Sequence, residues 1–472
     1  MLLFFILLYL VITVGVGVWA ARRVHTTTDF LLAGRKLPLY IATTVVFATW
    51  FGSETLLGAS SEFAGKGLLG IIEDPFGAAL CLLLIGLFFA RKLYRLNLLT
   101  FGDFYRIRYN RKAELVAAFF LVISYFGWIA AQMVALGIVF NLLFGTSLPV
   151  GIIGGSVVVV GYTYMGGMWS VSVTDFVQTI MIIGGLLFVT GLVMYQTPAQ
   201  EVMATLPADF FRFTPSPGAG SSSWLNYFAL WITIGLGSIP QQDVFQRVMS
   251  SRSERVAVWS SLLAAGLYLT VALLPLVLAL YARVLYPDLM QGDTQLLVPG
   301  LILRSGSLPV QILFFGALIS AIVSTASGAV LAPAAILSEN MLRPFLRQVT
   351  DARMLALSRL SVLLVAAVSL GLALLKSNIY ELVAESSALS LVSLFVPLVA
   401  GLYSTRTPPA AAILSMVLGM GVWLFALYLD TEINPLLYGL AGSIAGILPG
   451  FVGKPFISAE APASPPSRRG KE

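Results

Sequence analysis

The sequence predicts an all-α integral membrane protein with about thirteen transmembrane helices. Of its 472 residues, 58% are hydrophobic and only 11% are charged, whereas about 25% of residues are charged in a typical soluble domain. So few charges cannot cover the surface of a water-soluble protein of this length. Long apolar runs also alternate with short basic clusters, as in proteins that cross a bilayer repeatedly.

Each predicted helix is an apolar run that is long enough to cross the hydrocarbon layer at a rise of about 1.5 Å per residue. The runs cover residues 2–21, 39–64, 71–90, 114–142, 148–165, 172–194, 224–249, 256–282, 308–340, 354–375, 379–403, 409–429 and 434–452. The first run has no basic segment before it, unlike a signal peptide, and we expect it to be retained.

The distribution of basic residues predicts the orientation. If the first helix starts outside, all but five of the 28 basic residues fall in inner loops or in the C-terminal tail. Basic loops face the cytoplasm. We therefore expect a multi-pass protein of the cell (inner) membrane, with the N-terminus outside and the C-terminus cytoplasmic. The Pro- and Ser-rich tail, 454–472, is predicted to be disordered.

Composition argues against several other functions. The net charge is +6, but the basic residues lie between apolar runs, so we expect no nucleic acid partner. The single histidine, His25, and the single cysteine, Cys81, disfavour a zinc or haem site. We find no nucleophile–base pair within the apolar runs and expect no enzymatic activity.

The second run is polar and contains glycine at its centre, between Ala48 and Ser53. A break inside a membrane helix is tolerated where it lines a cavity, and transporters bind ions with the carbonyls that such breaks free. Small residues also allow unbroken helices to pack closely. The pattern by itself favours neither interpretation.

The ninth run carries Ser320, Ser324 and Ser327 on one helical face. Hydroxyl oxygens are suitable ligands for an alkali cation. Serine hydroxyls in a helix also bond to carbonyls one turn earlier on the same helix. The pattern alone favours this second, purely structural role.

Several acids lie in or near apolar runs, including the pair Glu73 and Asp74. Asp175 is close to the predicted start of the sixth run, and Glu54 lies within the second. An acid inside a membrane span indicates function by default, although Asp175 could equally cap a helix end.

Four motifs in order resemble those of the sodium/solute symporter family across essentially the whole chain. They are DFLLAGR at 29–35, GGMW followed by TDFVQ at 166–178, QDVFQR at 242–247, and AIVSTAS at 321–327. The resemblance implies a LeuT-like core of two inverted five-helix repeats, at 39–194 and 224–403. One extra helix, 1–22, would precede the repeats, and two helices within 409–453 would follow them.

The resemblance also implies a sodium site. Its ligands would be the carbonyls of Ala48, Phe51 and Ala321 and the hydroxyls of Ser324 and Thr325. A second sodium, found in some members, would use Asp175 and Ser327. At the next position, where those members have another serine, this chain has Gly328.

Within the family, the segments ATW at 48–50, YFGW at 125–128 and GSIPQQDVFQR at 237–247 are most similar to the choline transporter branch. Trp50 and Trp128 match aromatic positions around a quaternary ammonium, which cation–π attraction would hold. Gln241 replaces a third tryptophan, and an amide there suits a polar or zwitterionic solute. Glu54 and Gln132 complete the predicted solute-binding set.

The predicted function is sodium-coupled symport of a small organic solute by alternating access. The solute would be choline-like, zwitterionic or amino-acid-like, and Na⁺ would be the coupling ion. Two alternatives stay open: a sensor or receptor built on a transporter fold, and a symporter coupled to protons through Asp175 or Glu54.

Overall fold

The computed structural model describes residues 1–346, 350–429 and 431–452. The predicted tail, 454–472, lies outside the described residues. Within those ranges the elements are helical, and the β contact found there is one parallel bridge between Leu37 and Ser251. The all-α class is therefore confirmed.

The first part of the chain forms nine α-helices. They are α1 Leu2–Ala21, α2 Thr27–Leu32, α3 Leu39–Trp50, α4 Ser60–Lys66, α5 Ala78–Leu84, α6 Ala90–Leu96, α7 Phe101–Arg108, α8 Arg111–Phe144 and α9 Leu148–Gln196. Wider π-helical turns cover Glu54–Ala59, Ile72–Gly77 and Ile85–Phe89, and tighter 3₁₀ turns cover Ala33–Arg35 and Leu68–Ile71.

The second part forms twelve more. They are α10 Ala199–Ala204, α11 Ser221–Gly237, α12 Gln242–Ser250, α13 Glu254–Leu285, α14 Leu297–Ser305, α15 Leu308–Ile336, α16 Asp351–Leu375, α17 Ile379–Ser390, α18 Val396–Tyr403, α19 Pro409–Tyr428, α20 Pro435–Ile447 and α21 Pro449–Val452. Leu337–Leu342 and Leu391–Phe395 are π-helical, and Pro287–Gln291, Thr294–Leu296 and Arg343–Phe345 are 3₁₀ turns.

Nine helical segments of the described chain are long and apolar enough to cross a membrane. They are Leu2–Ala21, Leu68–Leu96, Arg111–Phe144, Gly167–Gln196, Glu254–Leu285, Leu308–Phe345, Asp351–Leu375, Ile379–Tyr403 and Pro409–Tyr428. Three apolar helices are shorter: Leu39–Trp50, Leu148–Gly161 and Pro435–Ile447. The total of thirteen crossings stays a prediction, as does the division into two repeats.

The second span is broken, which decides between the two interpretations that the sequence left open. Helix α3 ends at Trp50, and Phe51 has non-helical dihedrals (φ −88°, ψ 85°). The chain is in addition broken between α11 and α12, where Gln241 is extended (ψ 146°). The first span of each predicted repeat is therefore discontinuous, which favours irregular backbone around a buried site.

The structure corrects the predicted start of the sixth span. No separate loop covers 166–171; instead the path of α9 turns at Gly167 (φ 50°, ψ −144°). A Cβ at Gly167 would lie 2.5 Å from the carbonyl oxygen of Phe30, so the close approach requires glycine. Asp175 consequently lies two turns into the helix, and the capping interpretation is wrong.

Helix α15 is the central helix. It packs against α8, α9, α3 and α16, and every residue from Phe314 to Ile336 is buried. By contrast, much of α1 is exposed, including Phe4, Val11 and Ile12, which suits a lipid-facing helix. Polar side chains on α15 must therefore find partners within the protein.

Two glycines in α19 provide a test of the packing. A Cβ at Gly419 would lie 2.0 Å from the carbonyl oxygen of Val392, whereas nothing lies within 4 Å of one at Gly421. We expect Gly419→Ala to destabilise the protein by about 2 kcal/mol through overpacking. Gly421→Ala should be neutral or slightly stabilising. Thermal unfolding in detergent would compare the two, and equal midpoints would contradict the close α19 contact.

Candidate functional site

The break in α3 meets two hydroxyls of α15. The last carbonyls of a helix have no partner within it, and here Ala48 O accepts from Thr325 Oγ1 at 3.0 Å. Ser324 Oγ lies 3.3 Å from the same oxygen. Gly52 keeps the contact open, since a Cβ there would lie 2.7 Å from Thr325 Oγ1. Oxygen atoms of two helices thus converge at the break.

The other two predicted sodium ligands lie beside this contact. Phe51 is the non-helical residue directly after α3, and Ala321 precedes Ser324 by one turn of α15. Both are fully buried. The Phe51 ring stacks on Phe47 with centroids 5.0 Å apart, which helps to hold the bent backbone. The structure therefore brings the five residues to one contact, and their role in binding sodium stays a prediction.

Hydroxyls on α15 divide between the two roles that the sequence left open. Ser320 Oγ donates to Gly316 O at 2.5 Å and contacts Tyr9 of α1. Ser327 Oγ donates to Ser324 O at 2.8 Å. The hydroxyls of these two serines donate to carbonyls of α15 itself. The hydroxyls of Ser324 and Thr325 instead lie against a carbonyl of α3.

Asp175 lies next to the same hydroxyls. Ser324 Oγ is 2.5 Å from Asp175 Oδ1, so its single proton can go either to this carboxylate or to Ala48 O. Asp175 Oδ2 is buried and has no hydrogen-bond partner. Of the candidate second-sodium pair, Asp175 thus faces the ion site, while Ser327 bonds within α15.

Arg247 is a functional candidate that the sequence analysis did not single out. It is only 3% exposed. Its Nε donates to Thr49 Oγ1 at 2.9 Å, and its Nη2 would lie 2.3 Å from a Cβ at Gly328. The carboxylates of Asp175 and Asp243 both act on it electrostatically. A fixed cation therefore occupies the space beside the glycine that replaces a serine of the second sodium site.

An enclosed cavity lies on the other side of the α3 break. The free space inside it is about 20 Å³, roughly enough for one water molecule, so a solute would require the cavity to widen. Its lining residues are Trp50, Glu54, Asp74, Ala78, Trp128, Ile234, Ser238, Gln241, Tyr268, Val383, Ser386 and Ser387. Four of the five predicted solute-binding residues are among them.

The fifth predicted residue, Gln132, does not line the cavity but holds residues that do. Its Nε2 donates to Glu54 Oε2 at 2.8 Å, and its Oε1 accepts from the backbone N–H of Ser53 at 3.0 Å. Trp128 Nε1 lies 3.4 Å from Glu54 Oε1. Gln132 therefore ties the broken segment after α3 to α8 and holds the Glu54 carboxylate in place.

Asp74 and Tyr268 were missing from the predicted set. Tyr268 Oη donates to Asp74 Oδ1 at 2.5 Å and is 2.7 Å from Thr55 Oγ1. Asp74 Oδ2 is buried and unpartnered. An acid followed by proline in an apolar run was the available signal for Asp74, whereas Tyr268 has no distinguishing sequence context.

A second, polar cavity lies one turn further along the same elements. It is lined by Gly58, Ser61, Glu62, Asp293, Thr294, Gln295, Ser377, Asn378 and Tyr380. Gly58 is one turn beyond Glu54, and Tyr380 is one turn before Val383. A Cβ at Gly58 would lie 3.4 Å from Tyr380. We call this second cavity the vestibule, and the Tyr380–Gly58 contact forms part of its wall.

A broken membrane helix beside a cavity lined by buried acids and aromatic rings is the arrangement of a secondary transporter. The profile of the sodium:solute symporter family matches residues 30–419, and the chain belongs to that family.

Relatives and solved structures agree with this assignment. The high-affinity choline transporter 1 of Torpedo marmorata is 26% identical over 88% of this chain and 74% of its own length. The high-affinity proline transporter PutP of Bacillus subtilis is 27% identical over 77% of this chain and 78% of its own. A Na⁺-coupled sialic acid symporter, solved in a substrate-bound outward-open state, has a TM-score of 0.82 at 19% identity and covers 96% of this chain and 98% of its own. The predicted LeuT-like fold is confirmed, and these proteins are transporters rather than enzymes.

The position of Arg247 can be tested through Gly328. In Gly328→Ala the new methyl would force the guanidinium away and weaken its bond to Thr49. We expect a loss of about 1–2 kcal/mol in stability, measured as a lower thermal midpoint. Gly184→Ala, where a Cβ meets nothing within 4 Å, is the control. A Gly328→Ala protein as stable as the Gly184→Ala protein would show that Arg247 does not pack against Gly328.

Proposed function

We propose that this protein is a sodium-coupled symporter that moves a small organic solute across the cell membrane by alternating access. The observation that carries the proposal is the contact of Ser324 and Thr325 with the freed carbonyl of Ala48. Sodium bound by Ala48, Phe51, Ala321, Ser324 and Thr325 would replace the hydroxyl–carbonyl bonds of this contact with ion–oxygen bonds. Membership of the sodium:solute symporter family supports the choice of ion.

The coupling follows from where the ion and the cavity lie. Ala48 and Phe51 flank Trp50, which lines the cavity, so an ion at the break also holds one cavity wall in place. Solute and sodium would therefore favour each other's binding. One sodium crossing about 100 mV provides roughly 2.3 kcal/mol, and a tenfold sodium gradient adds about 1.4 kcal/mol. Together they would concentrate a neutral solute by roughly a few hundredfold.

The cavity suits the proposed solute classes. Trp50 and Trp128 offer aromatic faces for a cationic group, and Gln241 and Glu54 offer polar atoms. Relatives that transport choline and proline support a choline-like, zwitterionic or amino-acid-like solute. Asp175 and Ser327 form the candidate second sodium site, and Arg247 beside Gly328 disfavours it. Protons instead of sodium, acting on Asp175 or Glu54, are the alternative.

The ion site is tested by removing its hydroxyls. In proteoliposomes with an inward sodium gradient, Ser324→Ala combined with Thr325→Ala should abolish sodium-driven uptake and raise the sodium concentration for half-maximal thermal stabilisation at least about tenfold. Ser320→Ala, which removes a buried hydroxyl one turn earlier on α15, should behave like wild type. Uptake that ignores sodium and persists in the double variant, but responds to pH, would instead establish proton coupling.

Orientation is tested with introduced cysteines. The chain's own thiol, Cys81, is buried, so it gives little background labelling. We propose that the N-terminus is outside and the C-terminus cytoplasmic. An impermeant maleimide should then label Gln291→Cys in intact cells and Arg406→Cys only after permeabilisation; both positions are exposed. The reverse pattern would invert the proposed topology.

A further inference from the structure

The charges that line the enclosed cavity have one sign. Two of its twelve lining residues are acids, Glu54 and Asp74, and none of the twelve is Lys, Arg or His. The two side chains are 5% and 1% exposed. A buried carboxyl group without a basic partner either keeps its proton or needs a positive charge from outside the protein. A cationic solute can supply that charge.

The hydrogen-bond pattern shows which kind of cation fits. Asp74 Oδ1 accepts from Tyr268, but Asp74 Oδ2 is buried with no donor in the described structure. A quaternary ammonium has no N–H and would leave this oxygen unpaired. An ammonium that keeps at least one N–H can donate to it, and a hydrogen bond to a charged group is among the stronger ones.

Aromatic rings flank the two acids. Trp50, Trp128 and Tyr268 all line the cavity, and their faces attract an alkylammonium in addition to the carboxylates. On the side formed by α11 and α17, Ser386 Oγ donates its proton to the carbonyl oxygen of Leu382 on the same helix. The lone pairs of Ser386 Oγ therefore stay available to accept from a solute hydroxyl. No basic side chain lines the cavity to receive a solute carboxylate.

The vestibule carries a weaker charge of the same sign. Glu62 and Asp293 line it, but Lys66 pairs with Glu62 at 2.6 Å and balances one of the two acids. The preference for a cation therefore rests on the enclosed cavity.

We propose that the solute is a small organic ammonium ion that retains at least one N–H bond, which it donates to Asp74 while Glu54 and the aromatic rings surround the rest of its charge. This inference rests on the proposed symporter function and narrows its solute class.

A graded series of ligands tests it in the wild-type protein. Ethanolamine, its N-methyl and N,N-dimethyl derivatives, and choline share one skeleton and lose N–H bonds stepwise, while betaine and proline provide zwitterions. Affinity would be measured by thermal stabilisation in sodium, and transport by uptake of labelled ethanolamine. We expect ethanolamine and its N-methyl and N,N-dimethyl derivatives to bind at least about tenfold more tightly than choline, betaine or proline, because the first three ligands donate to Asp74 and carry no carboxylate.

Variants of single acids show which carboxyl group causes the preference for ligands with N–H bonds. Asp74→Asn keeps the shape of the side chain and should remove most of the preference for N–H ligands, whereas Glu54→Gln should weaken all four ammonium ligands. The control is Asp288→Asn, an exposed acid paired with Arg304, which should match wild type. Because the ligand series is read in the wild-type protein, the test holds even if a variant fails to fold.

The outcomes separate the two proposals. Choline or betaine binding as tightly as ethanolamine, or failure of every N–H ligand to bind while sodium still stabilises the protein, would overturn the ammonium inference alone. Absence of both sodium stabilisation and sodium-driven uptake would overturn the symporter proposal beneath it.

Discussion

The contact between the broken end of α3 and the hydroxyls of α15 is the interaction on which the rest of the site depends. A backbone break in a membrane protein leaves carbonyls that lipid cannot satisfy. Ser324 and Thr325 satisfy Ala48 O from a helix buried on all sides. The position of the break is thereby fixed, with Ala48 against α15 and with Trp50 and Glu54 in the cavity wall.

Two groups of buried acids lie near this contact. They differ in whether a basic side chain accompanies them. Asp175 and Asp243 share their surroundings with Arg247, so that group carries its own cation, and Tyr125 Oη also donates to Asp243. Glu54 and Asp74 meet neutral donors such as Gln132, Trp128 and Tyr268, and no basic side chain lines their cavity. The first group is therefore balanced by its own cation, whereas the second is not.

Some predictions held because they concern properties local to one segment. Glycine and polar residues at 48–53 weaken a membrane helix wherever it lies, and α3 does end there. Other points could not be predicted because they depend on a neighbour. The sequence left Asp175 open between a functional role and a helix cap, and the turn at Gly167, two helical turns earlier, excludes the cap. No local pattern singled out Arg247; a glycine on α15 makes room for its guanidinium. Ser320, Ser324 and Ser327 lie on the same helix, and they differ only in the groups that they contact.

What the sequence determined by itself was the environment and the family: apolar composition, run lengths and basic clusters require a multi-pass helical protein, and four ordered motifs point to one fold. Only the tertiary structure decided which polar groups meet. Asp74, Tyr268 and Glu54 come from three segments far apart in the chain, and no local pattern encodes their convergence. The net charge of the cavity, and hence the sign of its ligand, is a sum over side chains that the fold alone brings together.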